Sequence, residues 1–339
     1  MKSAQRKTRL WLWSSLAVLA VLAGSLTLAW SRSQTFLRSA LTIPSTGHVL
    51  LVDPGMTGQS VIARLQALGF TDHDWRWRWL MRAEPVVVKA GEYQLVAGTR
   101  PRELLALLAS GNVIQYRFTI VEGWTFKQLS EVLLADAMLG AVLDAGKISA
   151  WLEALDPPLT HPEGWFLPET YLYTRGDDAL DILRRAHDAT RRALADAWAG
   201  REENLPLDSP YELLILASII EKETALDEER NQISGVFIRR LGKGMRLQTD
   251  PTVIYGLGDE FDGDIRRQDL QTDTPYNTYT RHGLPPTPIA LPGQASLLAA
   301  ARPAAGDTLY FVANGQGGHT FSATLEDHQN AVNELLERK

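Results

Sequence analysis

Residues Leu10 to Trp30 read LWLWSSLAVLAVLAGSLTLAW, 21 positions without one charged side chain. As a helix rising 1.5 Å per residue, the run spans roughly 31 Å, the thickness of a bilayer's hydrocarbon core. Trp11, Trp13 and Trp30 stand near its two ends, where interfacial aromatics belong. Lys2, Arg6, Lys7 and Arg9 precede the run and only Arg32 and Arg38 closely follow it, which favours a cytoplasmic N-terminus. A cleaved signal peptide is the alternative, but the run outlasts a signal h-region and no good small-x-small cleavage site follows before Trp30. The expectation is a cytoplasmic tail over 1–9, a transmembrane anchor over 10–30, and the rest of the chain outside the cytoplasmic membrane.

That remainder is long enough for about two domains. Its charge is acidic: the whole chain carries −6, and setting aside the +4 of the first nine residues leaves −10. Such a body does not suit a phosphate backbone, so nucleic acid is not an expected partner. The sequence has no cysteine, which excludes disulfides, thiolate metal sites and cysteine nucleophiles.

Residues 31–47 mix Ser, Thr and Pro and read as a stalk. Beyond them one pattern recurs. Gly55, Gly98 and Gly123 each have an apolar residue three positions before (Val52, Leu95, Ile120) and six after (Val61, Leu104, Leu129), with a threonine one or two residues on. This predicts strand, tight glycine turn and capped helix, three times, in one or two small α+β modules. Their unequal spacing argues against a solenoid. In DWRWRWL, from Asp74 to Leu80, the four-residue spacing puts Trp75 and Trp79 on one face of a short helix. They are expected to pack inward with the arginines outside, in preference to an array for stacking sugars. Asp136 to Ala150 reads as helical. HPEGWFLPETYLY, from His161 to Tyr173, reads equally as a groove-lining loop or a packed corner.

The richest stretch is Ser209–Gly256. Ser209 as N-cap, Pro210 at the first helical position and Glu212 as a reach-back acid announce a helix. Leu213 to Ile220 is apolar nearly all round, so that helix is expected to be buried. Yet it ends in Glu221, Lys222 and Glu223. Burial and the negative end of the helix dipole both raise a carboxyl pKa. A glutamate there is placed to hold a proton near neutrality, as a general acid must. The two acids lie about 200° apart around the helix axis. Bulkier apolar backing favours Glu223 over Glu221 as the one facing a cleft, with surface charge at a helix end as the plainer reading. Farther on, Asp250-Pro251 reads as a helix cap. The proline-rich PYNTYTRHGLPPTPIALPG, Pro275 to Gly293, reads as a stiff loop suited to a cleft wall. Leu309–Ala313 and His319–Ser322 read as a hairpin around Asn314-Gly315, and 325–337 as a closing helix.

LASIIEKETA, RLGKGMRLQTDPTVIYG, YNTYTRHGLPPTPIALPG and GGHTF, with GEYQL, VEGWT and EGWFLPETY before them in order, closely resemble the MltG/YceG-like endolytic murein transglycosylases. The resemblance covers nearly all of the chain after the anchor. It implies an α+β fold with a single N-terminal transmembrane helix, a small LysM-like domain over 48–118 and a YceG-like catalytic domain over 119–339. It implies cleavage of the β-1,4 bond between N-acetylmuramic acid and N-acetylglucosamine inside peptidoglycan strands, leaving a 1,6-anhydro end. The family's catalytic acid matches Glu223, and no cofactor or metal is implied. Gln248, Asp250, Asn277 and Tyr279 are the expected sugar contacts. Peptidoglycan and the membrane are the expected partners, and the resemblance implies peptidoglycan synthases as further ones. Where the family often has Asp in the ETY motif this chain has Glu169. A hydrolytic muramidase and a non-catalytic wall-binding scaffold are the competing functions.

Overall fold

The computed structural model describes residues 2–140, 143–155 and 158–337 and divides into two compact units. The first runs up to Tyr116 and includes Thr174–Gly176; the second comprises Arg117–Tyr173 and the chain from Asp177 onward.

The first unit begins with α1 (Lys2–Arg38), within which Ser15–Arg38 is long and apolar enough to cross a membrane. Leu16, Leu19, Val21, Leu22 and Leu26 are all exposed, so this stretch needs an apolar surrounding that the protein does not supply. The helix does not give way to a stalk. It continues through 31–38, and Phe36, Leu37, Leu41 and Ile43 are buried in the unit's own core. The stalk expectation rested on Ser, Thr and Pro and overlooked these four apolar residues.

Next come β1 (His48–Val52), α2 (Gly58–Ala67), α3 (Trp75–Ala83), β2 (Gly91–Leu95) and α4 (Pro101–Ser110). The strands pair antiparallel, His48 opposite Leu95 and Val52 opposite Gly91. Gly55 and Gly98 sit at φ 82° and 90°, the left-handed turn that the repeat required between strand and helix. Thr57 caps α2 by accepting from Ser60 N–H. In α3 the expected face is reversed. Trp77 and Leu80 are buried, while Trp75 is 62% and Trp79 42% exposed. Trp77 meets Phe36 of α1 edge-on at 5.2 Å and donates from its indole N–H to Thr71. Helical spacing alone does not say which face finds that partner.

The third repeat opens with β3 (Tyr116–Thr119), which pairs with β4 (Thr170–Tyr173). Gly123 (φ 75°) and the cap Thr125 lead into α5 (Phe126–Ala135). The helix expected over 136–150 is shorter: α5 ends at Ala135 and α6 (Ala145–Glu153) starts only after Asp144. Residues 141 and 142 lie outside those described. The second unit continues through α7 (Ala179–Ala199), α8 (Pro210–Glu223), α9 (Asp227–Gly242), α10 (Asp250–Leu257), α11 (Arg267–Gln271) and α12 (Gln294–Ala301). It closes with the hairpin β5 (Tyr310–Ala313) and β6 (His319–Ser322), then α13 (Leu325–Glu337).

Helix α8 is the axis of this unit. Its start is as read: Ser209 Oγ accepts from Glu212 N–H, while the Glu212 carboxylate reaches back one residue further, to Asp208 N–H at 2.6 Å. Every residue from Leu213 to Ile220 is buried, against α7, α9, α10 and α12. Ser218, the one hydroxyl in that run, donates to Ile215 O and accepts from Ile289 N–H at 3.0 Å. A buried polar atom is thereby satisfied, and the proline-rich loop is pinned to the core helix. The mixed helices and two-stranded sheets make the protein α+β.

Candidate active site

The last turn of α8 sends its two acids into different surroundings. Glu221 is turned into the protein, its side chain 5% exposed, accepting from Gly293 N–H at 2.9 Å and lying 3.9 Å from the Arg230 guanidinium. Lys222 stays exposed and donates to Gly123 O. Glu223 is partly accessible and lines a cavity of about 470 Å³, within the range of ligand sites. It also borders a second cavity of about 390 Å³, shared with Glu122, Lys222 and Arg230.

The Glu223 carboxyl accepts a hydrogen bond from the Thr249 hydroxyl. Its pKa is pushed up to about 7. Loss of hydration is the main cause, and the Asp250 carboxylate adds to it; the Thr249 hydrogen bond, His319 and Arg240 pull the other way. Both protonation states are thus populated near neutral pH, which suits a group that must give a proton and take one back.

Around it, Gln248, Asp250 and Tyr279 line the larger cavity, as do Arg240, Tyr310 and His319. Gln248 holds φ at +52°, one of two non-glycine residues with positive φ among those described. Such strain persists where the surroundings fix it, here at the cavity lip. The cap at α10 differs from expectation: Thr249 is the N-cap residue, and Asp250, in the first turn, accepts a 2.6 Å hydrogen bond from the Tyr279 hydroxyl. Burial and that contact push the Tyr279 phenol up. Asn277 does not reach the cavity. It is fully buried, its amide donating to Asp269, Leu270 and Thr272 carbonyls and accepting from Tyr279 N–H. A side chain so bonded shapes the loop and has no group left for a sugar.

Arg240 is buried and donates to Leu309 O and Leu247 O, both at 2.6 Å, tying the hairpin to the segment that carries Gln248 and Thr249. His319 is held by Glu229, whose carboxylate accepts from the imidazole Nδ1 and the backbone N–H, each at 2.7 Å. Burial raises the Glu229 carboxyl, but these bonds outweigh it and hold it below the usual range. Sequence reasoning missed Thr249, Arg240 and the Glu229–His319 pair as parts of a site. They sit in three separated segments, and nothing local marks them as neighbours of α8.

A second buried acid lies in the EGWF segment. Glu163 is 6% exposed, accepts from Phe126 N–H at 2.9 Å and from the Tyr255 hydroxyl at 3.1 Å, and is pushed up to about 7, mainly by burial. Together with fully buried Phe166, this makes the segment a packed corner. The side chain of Glu169 is exposed.

The YceG-like family profile matches residues 50–334. An endolytic murein transglycosylase of Bacillus subtilis is 31% identical over 268 residues, 74% of each chain. One from Streptococcus pneumoniae is 28% identical over 323 residues, 85% of this chain and 58% of that longer protein. A crystal structure of a yceG-like protein from Listeria monocytogenes superposes with a TM-score of 0.56 at 28% identity, over 84% of this chain and 98% of that one. With sequence and fold in agreement over most of its length, the chain belongs to the YceG-like family.

Proposed function

We propose that the protein is an endolytic murein transglycosylase in which Glu223 is the general acid and then the base. The observation that carries this reading is a carboxyl poised near neutrality, at the end of a buried helix, bordering two cavities at once. On this reading the two cavities take the sugars on either side of the bond to be cut, as internal cleavage needs. Protonated Glu223 gives its proton to the β-1,4 glycosidic oxygen as the bond to the muramoyl C1 breaks. The resulting carboxylate takes the proton of that sugar's C6 hydroxyl, whose oxygen closes on C1. Glutamic acid is regenerated, a 1,6-anhydro end forms, and no water is consumed. Intramolecular attack has the advantage of effective concentration over water.

Gln248, Asp250 and Tyr279 are assigned as hydroxyl and amide contacts in the larger cavity. Helix α1 is assigned as a single-pass anchor with residues 1–9 in the cytoplasm and the enzyme on the outer face of the cytoplasmic membrane. Residues 48–118 are assigned as a LysM-like module and 119–339 as the catalytic domain, with peptidoglycan synthases as candidate neighbours.

One observation favours a rival. Asp250 lines the same cavity as Glu223, and a hydrolase would use such a second carboxylate to activate water. Mass spectrometry of cut strands separates the two. The transglycosylase leaves muramoyl ends lighter by one water than the reducing ends of hydrolysis. Reducing ends from wild-type protein would overturn the mechanism, and no cleavage of purified strands would favour a binding scaffold.

A further inference from the structure

The reversed face of α3 leaves a stripe of Trp75, Arg78, Trp79 and Arg82 on the surface, with both tryptophans well exposed. These residues stand three and four apart, on one side of the helix. Exposed tryptophans interleaved with arginines match the chemistry of a membrane's headgroup layer, which takes an amphipathic ring and a cation that pairs with phosphate. What decides where this stripe lies is its tie to α1. Arg76 donates to the carbonyl of Arg32 at 2.6 Å, and its guanidinium stacks over Phe36, which itself packs on Trp77. Arg32 is two residues past Trp30, about 3 Å along the helix. The headgroup layer on each side of the hydrocarbon core is about 5–7 Å thick. With Phe36 and Leu37 committed to the unit's core, the unit cannot swing away from the end of the apolar run.

We infer that the Trp75–Arg78–Trp79–Arg82 face of α3 seats in the phospholipid headgroups of the membrane that α1 crosses. The inference rests on reading α1 as an anchor, and its test keeps the two apart. The chain has no cysteine, so single labels go in cleanly. Full-length protein carrying Trp79→Cys, Arg82→Cys or Leu19→Cys is spin-labelled and reconstituted in vesicles of phosphatidylethanolamine and phosphatidylglycerol. Collisions with oxygen and with a water-soluble nickel chelate then report depth. Labels at 79 and 82 are expected between the fully aqueous value of the free label and the bilayer value at 19. Aqueous values at 79 and 82 with a buried label at 19 overturn the inference and leave the anchor standing. An aqueous label at 19 removes the anchor and the inference together. Immobilisation at 79 or 82 only on adding purified glycan strands assigns the stripe to sugar instead.

Discussion

Glu223 and Glu163 are both pushed up to about 7, in both cases chiefly by burial, yet they are wired in opposite ways. Glu163 also borders two cavities, of about 390 and 830 Å³, but both of its oxygens are engaged, one by a backbone N–H at the start of α5 and one by a tyrosine hydroxyl. Glu223 takes one hydroxyl, from Thr249, and turns what remains toward open space. A raised pKa therefore does not identify the catalytic acid. The proposal for Glu223 rests on its unbonded oxygen beside a cavity, because a proton donor must reach a substrate atom as well as hold its proton.

The sharpest way to break this contrast is to neutralise each acid. Glu223→Gln is expected to lower strand cleavage by about 10²–10⁴-fold, the usual contribution of a general acid, read as anhydro ends released per unit time. Glu163→Gln keeps an acceptor for Phe126 N–H and is expected to retain most activity per folded molecule. Equal losses would erase the distinction.

Stability should move the other way. Glu163→Ala leaves a buried N–H and a hydroxyl without their acceptor, and is expected to lose about 2–4 kcal/mol in thermal or denaturant unfolding. The pH dependence has a fixed sign. Each acid has a folded pKa above its unfolded value of 4.5, so the stability it contributes is present below about 4.5 and lost as pH rises through about 7. Glu223→Gln should therefore unfold later than wild type above neutral pH, by at most about 3.5 kcal/mol, since a tenfold change in proton affinity is worth about 1.4 kcal/mol. Wild-type activity should fall over the same range as the acid loses its proton, and an alkaline limb far from 7 would remove Glu223 as the titrating group.

Smaller effects on activity test the surroundings. Tyr279→Phe frees the Asp250 carboxylate from its 2.6 Å partner and is expected to cost about 1–1.5 kcal/mol of transition-state binding, near tenfold in kcat/KM. Glu221→Gln keeps an oxygen for Gly293 N–H and loses only a 3.9 Å approach to Arg230. Both side chains are buried, so it is expected to cost up to about 3–5 kcal/mol of stability, less to the extent that Asp227 still holds Arg230, and far less activity than Glu223→Gln. If it matches Glu223→Gln, the assignment of the two acids at the end of α8 is wrong.

Much of this was legible in the chain. The three glycine turns, the cap and buried run of α8, the hairpin and the closing helix follow from local spacing, since a positive φ, an N-cap hydroxyl and an apolar period are properties of a few neighbouring residues. Three of the errors share one cause. Trp77 in place of Trp75 and Trp79, Asn277 bonded to three carbonyls, and Phe36 and Leu37 inside a core are all choices made by a distant partner. Local pattern shows that a residue can pack or bond, and not what it meets.

By itself the sequence determined a long apolar helix at the N-terminus, a nearly all-apolar helix ending in EKE, and a chain without thiol chemistry. Those are consequences of composition and period. Only the tertiary structure decided that Glu223 keeps an oxygen unbonded beside a cavity, that Thr249, Asp250, Arg240 and His319 surround it, and that Glu163 is as shifted as Glu223 but has both oxygens bonded. Desolvation and hydrogen-bond geometry depend on what the rest of the fold places within a few ångströms, and the linear order of residues does not carry that information.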